Sequence, residues 1–206
     1  MIGVDEVGRG AWAGPLLVVA VRLKSGKSLP KGLRDSKKLS KKKRDSLASK
    51  IIEVCDVGDG WVSSDVIDSL GLSVALKSAC LLAVLKLDAR NDESIILDGN
   101  VNYFKDTHYK KVSVKIRADD TEPIVSAASI VAKVARDKYM IDLSEIYPKF
   151  GFDKHVGYGT KLHRENLKKY GTTKVHRLSV KPIRDLIALR IQPKLVSVPN
   201  NQWLII

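Results

Sequence analysis

"IGVDEVGRGAWAGPLLVVAVRL", residues 2–23, decides how the rest of the chain is read. Two apolar, β-branched runs, at residues 2–4 and 16–23, flank a glycine-rich turn, the pattern of an antiparallel hairpin at the heart of a sheet. Asp5 and Glu6 end the first strand, and Gly8, Arg9, Gly10 and Gly14 follow. Neighbouring carboxylates repel each other, and a turn bare of side chains lets main chain approach another molecule closely. The stretch therefore suits a cation held beside a ligand that the backbone touches. A dinucleotide-binding loop shares the glycines but needs a helix N-terminus next, to receive a pyrophosphate. Pro15 and the apolar run after it read as strand, and Asp5 and Glu6 would repel that pyrophosphate, so the cofactor-loop reading is set aside.

Further strands are expected at residues 94–99 and 111–117, the second alternating Val112, Val114 and Ile116 against Lys111, Ser113, Lys115 and Arg117. Three longer helices are expected between and after them. Residues 40–54 have Ser40 as N-cap and an apolar stripe at Leu47, Ile51 and Val54. Residues 72–87 are apolar on most sides, and residues 122–147 have Thr121 as cap and Pro123 in the first turn. The first half of that last helix, 124–134, is small and apolar all round, as for a helix laid on a sheet. Beyond Tyr147 the chain is turn-rich, with short helices near 161–170 and 180–190. The expected organisation is an α/β core over residues 1–145 and a small basic helical lobe over 146–206, packed on the core.

The 206 residues are 44% hydrophobic and carry a net charge of +13 with a pI near 9.7, a balance that favours a polyanionic partner, nucleic acid first. Residues 27–50 hold ten Lys/Arg and residues 154–184 hold nine, two stretches that suit a polyphosphate track. No apolar run reaches the roughly 18 residues that span a bilayer. Asp5, Glu6 and Arg9 break any secretory signal. Cys55 and Cys80 are read as reduced, buried thiols, and a cytoplasmic, monomeric protein with no membrane partner is expected.

Acids cluster where strands end: Asp5 and Glu6, then Asp98 before Gly99, then Asp119 and Asp120 after the 111–117 strand. Adjacent strands lie about 4.8 Å apart, so such side chains can converge on one point. Converging carboxylates need a cation, and hard oxygen ligands select Mg2+ or Mn2+ over zinc. A pair of such ions suits phosphodiester hydrolysis, one activating the attacking water and the other stabilising the departing oxygen. His108, His155, His163 and His176 form no ligand-spaced pair, so the last three are assigned to packing or substrate contact.

The motifs "DEVGRGAWAGP", "DSKKLS", "LDGN", "RADDTEPIVSAASIVAKVARDKYM", "GFDKHVGYGTKLH" and "VHRLSVKPIR" resemble, in order and spacing, type 2 ribonuclease H, ribonuclease HII, over residues 2–185. The resemblance implies a ribonuclease H-like mixed β-sheet flanked by helices, with a C-terminal helical lobe. It implies a metal-dependent endonuclease acting on the RNA strand of RNA–DNA hybrids and at ribonucleotides embedded in duplex DNA. It assigns the catalytic, metal-binding acids to Asp5, Glu6, Asp98 and Asp119; counting back from Ser129 selects Asp119 over Asp120. It assigns Gly8, Arg9 and Gly10 to the ribose 2′-hydroxyl, Ser36 and Lys37 to phosphate, and Tyr158 to the following deoxynucleotide. Trp12, Val156, Val180 and Ala118 depart from the family's commoner residues. A non-catalytic nucleic-acid-binding module and a DNA-directed nuclease of the same broad fold are the competing readings. Gln202 and the apolar residues after it resemble faintly a sliding-clamp-binding peptide, against the plainer reading of a terminal strand.

Overall fold

β1 (Ile2–Val7) and β2 (Leu16–Leu23) run antiparallel, with Ile2 opposite Arg22 and Val7 opposite Leu17. In the computed structural model, which describes residues 1–191, 195–198 and 202–205, with side chains through 189, this hairpin occupies the middle of a five-stranded sheet. The order is β3-β2-β1-β4-β5, where β3 is Cys55–Val62, β4 is Ile95–Asp98 and β5 is Val112–Lys115. β1, β4 and β5 are mutually parallel, and β2 and β3 complete the antiparallel half.

Both faces of the central strands are buried, which explains their nearly unbroken apolar sequence. Ile2, Val4, Leu16, Val18 and Ala20 face α3 (Leu72–Lys86), whereas Leu17, Val19 and Val21 face α1 (Lys41–Val54) and α5 (Pro123–Ile146). Gly3 lies beneath the start of α5: a Cβ there would stand 2.5 Å from the Ile124 carbonyl carbon and oxygen. Ser40 caps α1 by accepting the Lys43 N–H.

β3 carries little strand signal, because Gly58, Gly60 and two aspartates interrupt it. The glycines are there for packing. A Cβ on either would collide with a carbonyl oxygen of α3, that of Ala83 or Ala79, so strand and helix meet backbone to backbone. Gly60→Ala is expected to cost ~2 kcal/mol or more by overpacking and to lower the thermal midpoint by about 5 °C, measured by differential scanning calorimetry. β5 is a sheet edge and shorter than its alternation suggests: Ile116 lies past its end and is 70% exposed. Arg117 then adopts a left-handed conformation (φ 60°) that turns the chain into a one-turn helix, α4 (Ala118–Thr121). Glu122, not Thr121, is therefore the cap residue of α5. Two further short helices escaped the sequence patterns: α2 (Ser64–Leu70), leading into α3, and α6 (Phe152–His155).

A third apolar cluster gathers Ala13 from the glycine turn, Met140 and Leu143 from α5, Phe150, Phe152, Leu167 from α7 (Lys161–Tyr170) and Ile183 from α8 (Lys181–Ile191). Within it lie His155, His163 and His176, all buried, with the His155 and His163 rings stacked at 4.3 Å. Burial holds His163 and His176 down to a pKa of about 4. Their folded values lie below the ordinary histidine value of about 6.5, so their contribution to stability is intact above pH ~6.5. It is lost as pH falls toward 4, on the order of 3 kcal/mol for one histidine. Amide protection factors over residues 150–176 are accordingly expected to drop between pH 6 and 4 while those of β1 and β2 hold; equal loss in both regions would contradict this. At the C-terminus β6 (Leu195–Val198) pairs antiparallel with β7 (Gln202–Ile205), while Asn200, Asn201 and Ile206 of the clamp-peptide reading lie outside the described residues.

Candidate active site

Parallel pairing is what gathers the acids. β1, β4 and β5 all end on the same edge of the sheet, and the β1–β4 register sets Val4 opposite Leu97, so Asp5 and Asp98 leave adjacent strands at one level. Asp119 reaches the same edge from α4, whose first N–H, that of Ala118, is accepted by Asp98 Oδ1 at 2.7 Å. Asp5, Glu6, Asp98 and Asp119 together line a cavity of about 330 Å³, with Ser36, Lys37, Ser129, Lys133 and Tyr158 among the other wall residues. Asp120 points elsewhere: Lys38 Nζ donates to both its oxygens at 2.7 and 2.8 Å.

Burial first, then the Glu6 and Asp98 charges, pushes the Asp5 carboxyl well above the usual range, against hydrogen bonds from Ser129 and the Glu6 N–H. Glu6 is raised by burial too, with Arg9 opposing and Asp98 adding. Asp119 is raised by burial, Asp98 and Asp35, with Lys37 opposing. These are crowded acids whose negative charge the chain's own cations only partly balance. Among the described residues no three His, Cys, Asp or Glu side chains enclose a single point as placed. The donor set is nonetheless all carboxylate oxygen, the chemistry of a hard divalent cation, which would stabilise the ionised forms that burial and mutual repulsion disfavour.

The Gly8-Arg9-Gly10 turn stands beside the cavity rather than in its wall. Arg9 Nη1 approaches Glu6 Oε1 at 3.5 Å, and Gly10 has open space where a side chain would project. Gly8 (φ 85°) lies so close to the Arg136 guanidinium that a Cβ would collide with it. Arg136 and Arg177 are both buried and in no ion pair among the described residues. Arg136 donates to the carbonyls of Pro15 (2.8 Å), Val156 (2.9 Å) and Ala13 (3.2 Å). Arg177 donates twice to Gly14 (3.0 and 2.9 Å) and once to Arg9 (3.1 Å). Arg177 is thus a clamp on the turn rather than part of an exposed polyphosphate track.

Ser36, in a short turn capped by Asp35, is itself buried, with its Oγ hydrogen-bonded to Ser129 Oγ at 3.0 Å. Tyr158, in the loop after α6, has the Arg136 guanidinium 5.6 Å from its ring centre. Ser129 and Lys133 were not among the expected site residues. Their signal is the spacing Ser129, Lys133, Arg136, one polar stripe that starts in the apolar first half of the helix. Lys133 Nζ pairs with Asp137 at 2.8 Å.

A mixed sheet with carboxylates gathered at the carboxyl edge of its parallel strands, on a strongly basic chain, defines a hydrolytic nuclease of the ribonuclease H class. The sequence profile of Ribonuclease HII matches residues 2–182. The chain belongs to the ribonuclease HII family. It is 42% identical to the ribonuclease HII of Sulfurovum sp. (strain NBC37-1) over 179 residues, 87% of this chain and 90% of that one. It is also 42% identical to that of Dichelobacter nodosus (strain VCS1703A) over 186 residues, covering 90% and 96%. Among solved structures, the ribonuclease HII of Archaeoglobus fulgidus, determined in complex with PCNA, superposes with a TM-score of 0.76 at 29% identity over 90% of this chain and 95% of that one. Family membership makes the chain a divalent-metal-dependent endonuclease acting on the RNA of RNA–DNA hybrids. Among the described residues no helix is long and apolar enough to cross a membrane.

Proposed function

We propose that Asp5, Glu6, Asp98 and Asp119 are the catalytic acids and hold two Mg2+ or Mn2+ ions against the scissile phosphate. The observation that carries this is their arrival in one cavity from β1, β4 and α4, three of them with carboxyls raised by burial first and by neighbouring acids second. Such ions, when bound, supply an activated water and offset charge on the departing oxygen, giving a 3′-hydroxyl and a 5′-phosphate. The chain's own residues supply position. Gly8, Arg9 and Gly10 present main chain to the ribose 2′-hydroxyl, the group that distinguishes RNA from DNA. Ser36 and Lys37 hold phosphate at the cavity wall, and the Tyr158 ring packs on the deoxynucleotide beyond the cut.

On this reading single ribonucleotides embedded in duplex DNA are substrates as well as hybrids. A gel decides it: a duplex with one embedded ribonucleotide is cut at that position with Mg2+, while chelator abolishes cleavage and the all-DNA twin survives. Cleavage of the all-DNA twin would mark a DNA-directed nuclease, and salt-sensitive binding with no turnover a binding module. We further read the protein as a monomer in the cytoplasm. A sliding-clamp contact through residues 200–206 is the partner reading suggested by Gln202 and by the PCNA complex of the Archaeoglobus relative. Removing those residues should then abolish clamp binding and leave hydrolysis of a short hybrid unchanged.

A further inference from the structure

The peptide of Tyr158 is gripped from behind by histidines. The Thr173 N–H donates to His176 Nδ1 at 2.9 Å, His176 Nε2 meets His163 Nε2 at 3.1 Å, and His163 Nδ1 meets the Tyr158 carbonyl at 3.0 Å. A backbone N–H can only donate and a carbonyl can only accept, so both ends of this chain are fixed. His176 must be bare at Nδ1 and protonated at Nε2, and His163 must be bare at Nε2 and protonated at Nδ1. The polarity therefore runs one way, from residue 173 through two neutral rings to Tyr158. Protonating either ring would set one N–H against another. His155 stacks on His163, accepts the Gly157 N–H at Nδ1 (3.2 Å) and contacts the Phe150 carbonyl through Nε2 (2.8 Å). On the other side Trp12 covers Gly159, where a Cβ would collide with the indole. The groups packed on the histidine pair are His155, Trp12, Phe150 and Phe152; the charged ones nearby are Asp153, which acts on His155, and Arg164, over the Trp12 ring at 5.8 Å.

We infer that His163, oriented by His176, is a positioning residue for Tyr158, fixing the peptide from which that ring enters the cavity. This rests on the reading of Tyr158 as the group that packs on the nucleotide beyond the cut. Its physical core is separately visible. Nitrogen–proton correlation spectra of the intact protein, labelled on histidine, should show His163 protonated at Nδ1 and His155 and His176 at Nε2. His163 protonated at Nε2 overturns the inference whatever the kinetics.

Kinetics on the single-ribonucleotide duplex test the consequence. His163→Phe should lower kcat/KM about tenfold, the scale of one lost buried hydrogen bond with the strain it leaves. His163→Asn, whose amide nitrogen stands in for Nδ1, should recover to within about threefold of the parent. In a Tyr158→Ala background His163→Phe should add less than about twofold, because its effect passes through that ring. A full tenfold effect in that background would mean a general structural role and sink the inference. Unaltered cleavage by Tyr158→Ala alone would overturn the reading of Tyr158, and the positioning role with it, while leaving the assignment of the tautomers to stand on the spectra.

Discussion

Asp5→Asn and Asp98→Asn proteins are expected to bind an RNA–DNA hybrid within about threefold of the parent and to cut it a thousandfold more slowly or worse. The two halves of that expectation come from different parts of the molecule. Affinity for a polyphosphate comes from Lys and Arg spread over the surface, none of which these substitutions touch. On the proposed mechanism hydrolysis needs the cation that the carboxylates would gather, and metal assistance is worth several kcal/mol of barrier, with each ~1.4 kcal/mol a factor of ten. Asparagine has the same shape and retains an oxygen, so packing changes little.

A second readout sharpens the test. Asp5 has a folded-state pKa raised above its unfolded value, so its ionised form at neutral pH opposes folding. Asp5→Asn should therefore melt at or above the parent temperature without metal, and should lose most of the additional stabilisation that the parent gains from Mg2+. An Asp98→Asn protein that cuts at the parent rate with Mg2+ would mean that the carboxylate cavity is not the active site.

Arg136→Met should have the largest effect on stability. The side chain is buried, and its removal orphans three carbonyl acceptors, those of Ala13, Pro15 and Val156. Each costs ~1 kcal/mol or more when left without a partner in the interior. Relief of the desolvated guanidinium offsets only part of this, so a loss of ~3 kcal/mol and a fall of about 10 °C in thermal midpoint are expected. Cleavage measured well below that midpoint should still fall on the order of a hundredfold. Gly8 rests on the guanidinium and the Tyr158 ring lies over it, so one deletion loosens the turn and the ring together. Arg136→Lys should not rescue, because one ammonium cannot span the three acceptors of a planar fork. A full-rate Arg136→Met enzyme would show that the turn holds its shape without this support.

What could be read from sequence follows what is local. The β1–β2 hairpin, the Ser40 cap and the Pro123 start of α5 each rest on residues within a few positions of one another, and their signals are plain. Acids at strand ends were visible for the same reason, and parallel pairing then put them side by side. β3 was not visible, because Gly58 and Gly60 serve the surface of α3 rather than any strand preference. The polar stripe of Ser129, Lys133 and Arg136 was hidden because it begins in the apolar first half of α5 and runs into a second half where charged residues are common. Arg177 counts toward a basic stretch by composition, yet it spends its charge on backbone carbonyls inside the protein. His155, His163 and His176 have no spacing that predicts contact; only the loops after α6 and α7 bring them together.

The two arginines also set an order of events. The carbonyls of the Gly8–Pro15 segment wait for donors 121 to 168 residues later in the chain. Closing contacts across such separations is slow and comes late in folding. A nascent chain can thus complete the β1–β2 hairpin early but cannot set the turn beside it until Arg177 has been synthesised and docked. The glycine turn therefore takes its final shape only once the segment around Arg177 has docked against it.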